Sequence, residues 1–174
     1  MRTSREIADE KALAALAAEV AAEARAGDLI ALRGPLGVGK TTFARAFIRA
    51  LGCDEEVPSP TFTLVQTYAL APCPVWHYDL YRLEQAEELW ELGIEDALAE
   101  GIVLMEWPER AEALLPDARI DIDLSFSEAG RRLTVCRRQT RAAQIRDFLD
   151  ANGWGAAQRA PLAGDASFRR YERL

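Results

Sequence analysis

Cysteine is scarce in this chain: Cys53, Cys73 and Cys136 are the whole complement among 174 residues. They are odd in number, widely spaced and contain no Cys-x-x-Cys pair. That excludes a disulfide framework and a thiolate zinc site, and it points to a reducing compartment. No apolar run is long enough to span a bilayer. The opening Met-Arg-Thr-Ser-Arg-Glu lacks the apolar core of a secretory signal, so a cytoplasmic location is expected. Lysine is rarer still, present only as Lys11 and Lys40, and His77 is the one histidine. No partner for His77 is evident nearby in sequence, and it reads as a packed or partly exposed ring rather than a ligand or nucleophile.

Positive charge is also short, with 21 Lys and Arg against 28 Asp and Glu for a net charge of −7. A protein that grips nucleic acid by a broad basic face is thereby excluded. The imbalance is uneven. Residues 1–129 carry 11 basic against 24 acidic side chains, and residues 130–174 carry 10 against 4. Arg131, Arg132, Arg137, Arg138, Arg141 and Arg146 form the dense part of that basic end. It is either a solvated face or a contact surface for RNA or an acidic partner.

What the chain does possess is Gly34-Pro35-Leu36-Gly37-Val38-Gly39-Lys40-Thr41, a full match to G-x-x-x-x-G-K-[ST]. Its flanks suit it. Asp28–Arg33 is a short apolar strand, and Thr42 to Leu51 reads as a helix with Phe43, Phe47 and Ile48 inward. Glycines let such a loop bring its N–H groups close around an anion, and the helix start adds partial positive charge. Lys40 is placed to bridge outer phosphates, and the Thr41 hydroxyl to complete a magnesium shell made mostly of phosphate oxygens and water. Neither lysine lies in the Asn/Thr-Lys-x-Asp stretch by which the usual guanine-specific GTPases read their base, so ATP and ADP are favoured.

Such a loop needs carboxylates to hold its metal and position a water. Glu106 follows the apolar run Ile102–Met105 and would emerge at the carboxyl end of a central strand, where ligands bind in open α/β sheets. Asp79, at the end of another strand, is the second candidate. Trp107 stacks on a base or partner, or packs in the core. Ser59-Pro60-Thr61 occupies the place of a γ-phosphate-sensing segment, or is plain loop punctuation.

Periodicity supplies the rest. Residues 9–26 read as a helix with Leu13, Leu16, Ala17, Val20 and Ala24 on one stripe, stopped by Gly27. Thr61–Tyr68 and Val75–Asp79 read as a hairpin, 84–99 as a helix, and Ile120–Phe126 with Arg132–Cys136 as a second hairpin turning at Gly130. A last helix is expected over about 140–151. The fold class is α/β: a three-layer phosphate-loop sandwich with a mixed, mostly parallel central sheet plus antiparallel hairpins.

Four segments together, G-P-L-G-V-G-K-T-T ending at Thr42, S-P-T-F-T-L-V from Ser59, H-Y-D-L-Y-R-L from His77 and E-W-P from Glu106, resemble the TsaE family over about residues 8–150. That family is the ATPase subunit of the bacterial machinery that installs threonylcarbamoyl on adenosine 37 of tRNAs. The resemblance implies a weak ATPase that acts with TsaB and TsaD and meets tRNA through that complex. It implies that Gly34 to Thr42 hold the nucleotide and that Thr41 and Glu106 ligate Mg2+. Lys40, Asp79 and Glu106 would serve hydrolysis, and Ser59 and Thr61 would respond to nucleotide state. Glu10 would border the nucleotide, as would Gly130-Arg131. The family often has threonine where Leu13 stands.

Two alternatives follow from the loop alone, a small-molecule kinase and a nucleotide-binding regulatory module without turnover. Pro161 to Tyr171 is similar to the opening of sugar kinases related to aminoglycoside phosphotransferases. The expected division is therefore an ATPase domain over 1–151 and a linker with the start of a second domain over 152–174.

Overall fold

The polypeptide runs through strand β1 (Arg2–Ile7), helix α1 (Glu10–Glu23), strand β2 (Leu29–Arg33) and helix α2 (Lys40–Ala50). The hairpin β3 (Val65–Tyr68) and β4 (Val75–Asp79) follows, then short helices α3 (Glu88–Glu91) and α4 (Ile94–Glu100). Strand β5 (Ile102–Glu106), two 3-10 turns (Pro108–Arg110 and Glu112–Leu114), and the hairpin β6 (Arg119–Ser127) and β7 (Gly130–Arg138) complete this part. This computed structural model describes residues 2–139, 148–153, 160–161 and 172–173. The chain divides into two compact units, Met1–Arg138 and Gln139–Leu174. In the second, residues 148–151 are helical, and strands β8 (Ala160–Pro161) and β9 (Glu172–Arg173) pair antiparallel. Most of the helix expected over 140–151, and most of the sugar kinase-like stretch, lie outside the described residues.

In the first unit the sheet order is β1-β7-β6-β2-β5-β4-β3. β6, β2, β5 and β4 form a parallel centre, and antiparallel partners flank it, β7 and β1 at one side and β3 at the other. The centre reads as near-continuous apolar sequence because both faces are covered. On one face, Ile30, Leu32, Ile102, Leu104, Ile120 and Ile122 pack with α1 and α2. On the other, Leu29, Ala31, Val103, Met105 and Tyr78 pack with Leu89, Ile94 and Ala97. This is the expected three-layer sandwich. Phe43 and Phe47 of α2 are fully buried, each worth about 2–3 kcal/mol.

Several boundaries differ from the sequence reading for local reasons. Asp9 caps α1, its side chain accepting from the Ala12 N–H at 2.8 Å, but the helix ends at Glu23 rather than 26. The helix expected over 84–99 is two pieces, because Gly93 takes a left-handed turn at φ 73° between α3 and α4. Residues 61–63 form a turn, so β3 begins only at Val65. β1 was not expected at all: it is a polar edge strand with only Ile7 buried. The basic end is partly neutralised within the fold, Arg132 by Glu6, Arg137 by Glu23 and Arg138 by Asp121. The three thiols are free, and among the described residues no helix is long and apolar enough to cross a membrane.

Candidate functional site

Alternation along two neighbouring parallel strands assembles the site. Ile102, Leu104 and Glu106 of β5 share one face, as do Val75, His77 and Asp79 of β4, and it is the face that α2 covers. Register sets Asp79 directly opposite Glu106 and His77 opposite Leu104. Both carboxylates therefore reach the carboxyl ends of their strands together, at the mouth where β2 passes into the glycine-rich loop. Backbone contacts fix this edge: the Leu80 N–H donates to the Glu106 carbonyl at 3.1 Å and the Trp107 N–H to the Leu32 carbonyl at 3.3 Å.

The loop's own geometry is equally determined. Gly34 sits at φ 132° against the Leu124 carbonyl, which a Cβ would strike. α2 begins at Lys40, two residues earlier than expected, and no side chain caps its N-terminus, leaving free N–H groups facing outward. Lys40 is 4% exposed. Its Nζ donates to the carbonyls of Gly34 at 2.8 Å and Pro35 at 3.0 Å, and lies 3.6 Å from the centre of the Trp107 ring. Burial lowers the Lys40 pKa, against the opposing pull of Glu106, Glu109 and Asp79.

Glu106 is 2% exposed and fully engaged. One oxygen, Oε2, accepts from the Thr41 hydroxyl at 2.9 Å; the other, Oε1, lies 2.9 Å from His77 Nε2. Asp79, 3% exposed, organises the neighbouring segment. Its Oδ2 accepts from Thr61 at 2.7 Å and Ser59 at 3.2 Å, and its Oδ1 from the Tyr81 N–H at 3.0 Å. The Ser59 and Thr61 hydroxyl oxygens lie 2.8 Å apart, so the single Ser59 proton is shared between Thr61 and Asp79.

These groups line one cavity of about 360 Å³. Leu36, Gly37, Gly39, Lys40, Thr41 and Thr42 of the loop and helix line it together with Ser59, Thr61, Asp79, Glu106, Tyr81 and Trp107. Pro35 and Val38 do not face it. Val38 is buried in the core and its N–H donates to the Pro35 carbonyl. Glu10 stands apart, in a second cleft with Asp9, Gly130 and Arg131. That cleft adjoins the loop, because the Arg131 guanidinium lies 3.6 Å from where a Cβ of Gly39 would be.

His77 is packed, as the sequence reading expected, but its bond to Glu106 was not foreseen, nor was Tyr81 at the cavity. His77 is fully buried, and the signal that could have found it is the alternation Val75-x-His77-x-Asp79. Trp107 packs on the second core, the latter of its two open readings, and its ring carries Lys40. It adopts φ 58° and meets Tyr81 at 5.0 Å between ring centres.

Chemically, the arrangement offers an ammonium, a hydroxyl–carboxylate pair able to share a divalent cation, and a second carboxylate beside two hydroxyls. Among the described residues no group of three or more His, Cys, Asp or Glu side chains could hold a metal alone. One hydroxyl and one carboxylate fit a magnesium ion whose remaining ligands are phosphate and water.

Known proteins agree on the family. A model described as "Threonylcarbamoyl adenosine biosynthesis protein TsaE" matches residues 7–134. The tRNA threonylcarbamoyladenosine biosynthesis protein TsaE of Rickettsia felis is 38% identical over 138 residues, covering 79% of this chain and 81% of that one. The protein of that name from Bacillus subtilis is 36% identical over 129 residues, covering 68% and 80%. The crystal structure of Bacillus subtilis YdiB superposes with a TM-score of 0.68 at 27% identity, covering 88% of this chain and 97% of that one. The chain belongs to the TsaE family.

Proposed function

We propose that this protein is a magnesium-dependent ATPase that binds and hydrolyses ATP to support threonylcarbamoyladenosine formation on tRNA, in the cytoplasm and together with TsaB and TsaD. The observation that carries this reading is the Thr41–Glu106 bond at the start of α2, in the same cavity as Lys40 and Asp79.

In this reading the loop amides and the α2 N-terminus cradle the phosphates, and Lys40 exchanges the carbonyls of Gly34 and Pro35 for phosphate oxygens. Thr41 and Glu106 hold magnesium, which when bound neutralises charge building on the leaving phosphate. Asp79 orients the attacking water, its carboxylate already positioned by the Tyr81 N–H. Because Ser59 and Thr61 both bond Asp79, a phosphate or water that recruits either hydroxyl alters the Asp79 environment, coupling this segment to nucleotide state. Glu10 and Arg131 border the nucleoside side.

A small-molecule kinase would need mobile arginines over the cavity. Of the cluster Arg137, Arg138 and Arg141, the first two pair with Glu23 of α1 and Asp121 of β6, and Arg141 lies outside the described residues. Phosphate release from ATP, measured for the chain alone and with TsaB, TsaD and modifiable tRNA, tests the proposal. Slow turnover alone that rises with both partners supports it. Turnover indifferent to the partners, or phosphate passed to a metabolite, overturns it.

A further inference from the structure

His77 is a fully buried polar ring that the reading above leaves without a task. It is 0% exposed and 29 residues from Glu106 in sequence, yet its Nε2 meets Glu106 Oε1 at 2.9 Å. A carboxylate can only accept, so Nε2 must carry the proton. Nδ1 has no hydrogen-bond partner among the described residues. An orphaned buried nitrogen costs about 1–3 kcal/mol, a penalty that leucine or phenylalanine in the same slot would not incur. Packing alone does not account for a histidine here.

What the ring does provide is a fixed anchor for one oxygen of Glu106. With Oε1 tied to His77, the carboxylate cannot rotate about its last bond, and Oε2 alone is presented toward Thr41 and the cavity. The anchor is buried at both ends and sits on paired strands, His77 opposite Leu104 and Asp79 opposite Glu106. Side chains that orient a metal ligand in this way typically change metal affinity by about 10–100-fold when lost.

We propose that His77 is a positioning residue: through Nε2–H it locks Glu106 so that a single carboxylate oxygen faces the divalent cation beside Thr41. This rests on the magnesium-nucleotide reading of the cavity.

The test is equilibrium binding of ADP with magnesium and with EDTA, expressed for each variant as the ratio of the two affinities. His77→Leu removes the donor, whereas His77→Gln keeps an N–H near the Nε2 position. The magnesium enhancement should fall about tenfold or more in His77→Leu and be largely kept in His77→Gln. A folded His77→Leu protein with the wild-type ratio overturns the proposal. If wild type itself shows no magnesium enhancement, the cavity reading fails first.

A second measurement needs no variant. The chain has one histidine, so the imidazole nitrogens of the untagged protein give one set of NMR signals. They should report the Nε2–H tautomer and shift when magnesium is added to the ADP complex. An Nδ1–H tautomer, or signals that ignore magnesium, contradicts the assignment.

Discussion

The Lys40 ammonium rests 3.6 Å from the centre of the Trp107 ring while donating to the carbonyls of Gly34 and Pro35. The side chain that would grip outer phosphates is thus held by its own loop and by an indole, almost wholly out of water. Nucleotide need only replace those carbonyls, and little desolvation remains to be met on binding. Lys40→Ala should therefore weaken ATP affinity by about 10–100-fold, the value of a charge-assisted hydrogen bond in a sheltered site. Equilibrium binding checks this, and unchanged affinity would refute the loop's assignment.

The same contact makes Trp107 a reporter. Four tryptophans are present, and among the described residues only Trp107 lines the cavity. Adding ATP should change intrinsic fluorescence as the ammonium leaves the ring. Trp107→Phe is expected to abolish most of that change while nucleotide still binds; a full signal in the variant would place the ammonium's movement elsewhere.

Asp79→Asn keeps the side chain's shape and removes its charge. Nucleotide affinity should stay within about threefold, while partner-stimulated turnover falls about a hundredfold or more, the usual scale for losing a water-orienting base. Parallel binding and phosphate-release assays separate the two. Equal losses in both would make Asp79 a binding residue.

Away from the cavity, Asp121 is enclosed by Arg33, Arg119 and Arg138. Burial alone would raise its pKa, but the Arg119 hydrogen bond and the three guanidinium charges outweigh that and hold it below the usual value. A lowered folded pKa means stability that is present above the unfolded pKa, near 3.9, and lost as acid carries the pH down through the folded one. Asp121→Asn should cost about 2 kcal/mol near neutrality, because it removes one charged acceptor of the buried Arg119 while Glu112 still pairs with Arg119 and Arg33. The difference from wild type should shrink below about pH 4. Denaturant melts across pH decide it, and a pH-independent gap would contradict the account.

The parts of this site that were legible in the sequence are those encoded over a few consecutive residues. The strand, glycine-rich loop and helix from Asp28 to Leu51 announce themselves because turn, charge and apolar spacing all sit in one stretch. Asp79 and Glu106 were visible as carboxylates ending apolar strands. His77 was not, because its partner is set by the pairing of β4 with β5, and register between distant strands leaves no local trace. β1 escaped for a different reason: Arg-Thr-Ser-Arg-Glu-Ile is the composition of an exposed edge, where β7 supplies the pairing and solvent tolerates the side chains. The division of the 84–99 helix turned on one glycine, whose left-handed φ at Gly93 is permitted but not demanded by sequence. Glu10 came only through resemblance, and its cleft is separate from the one that holds Lys40.

The most direct test of the central claim is a crystal structure grown with magnesium and a non-hydrolysable ATP analogue. The account expects Lys40 Nζ on the outer phosphates, the loop amides turned to them, and a cation between the Thr41 hydroxyl and Glu106. Lys40 still bonded to Gly34 and Pro35, with the analogue absent or bound on another surface, would contradict it.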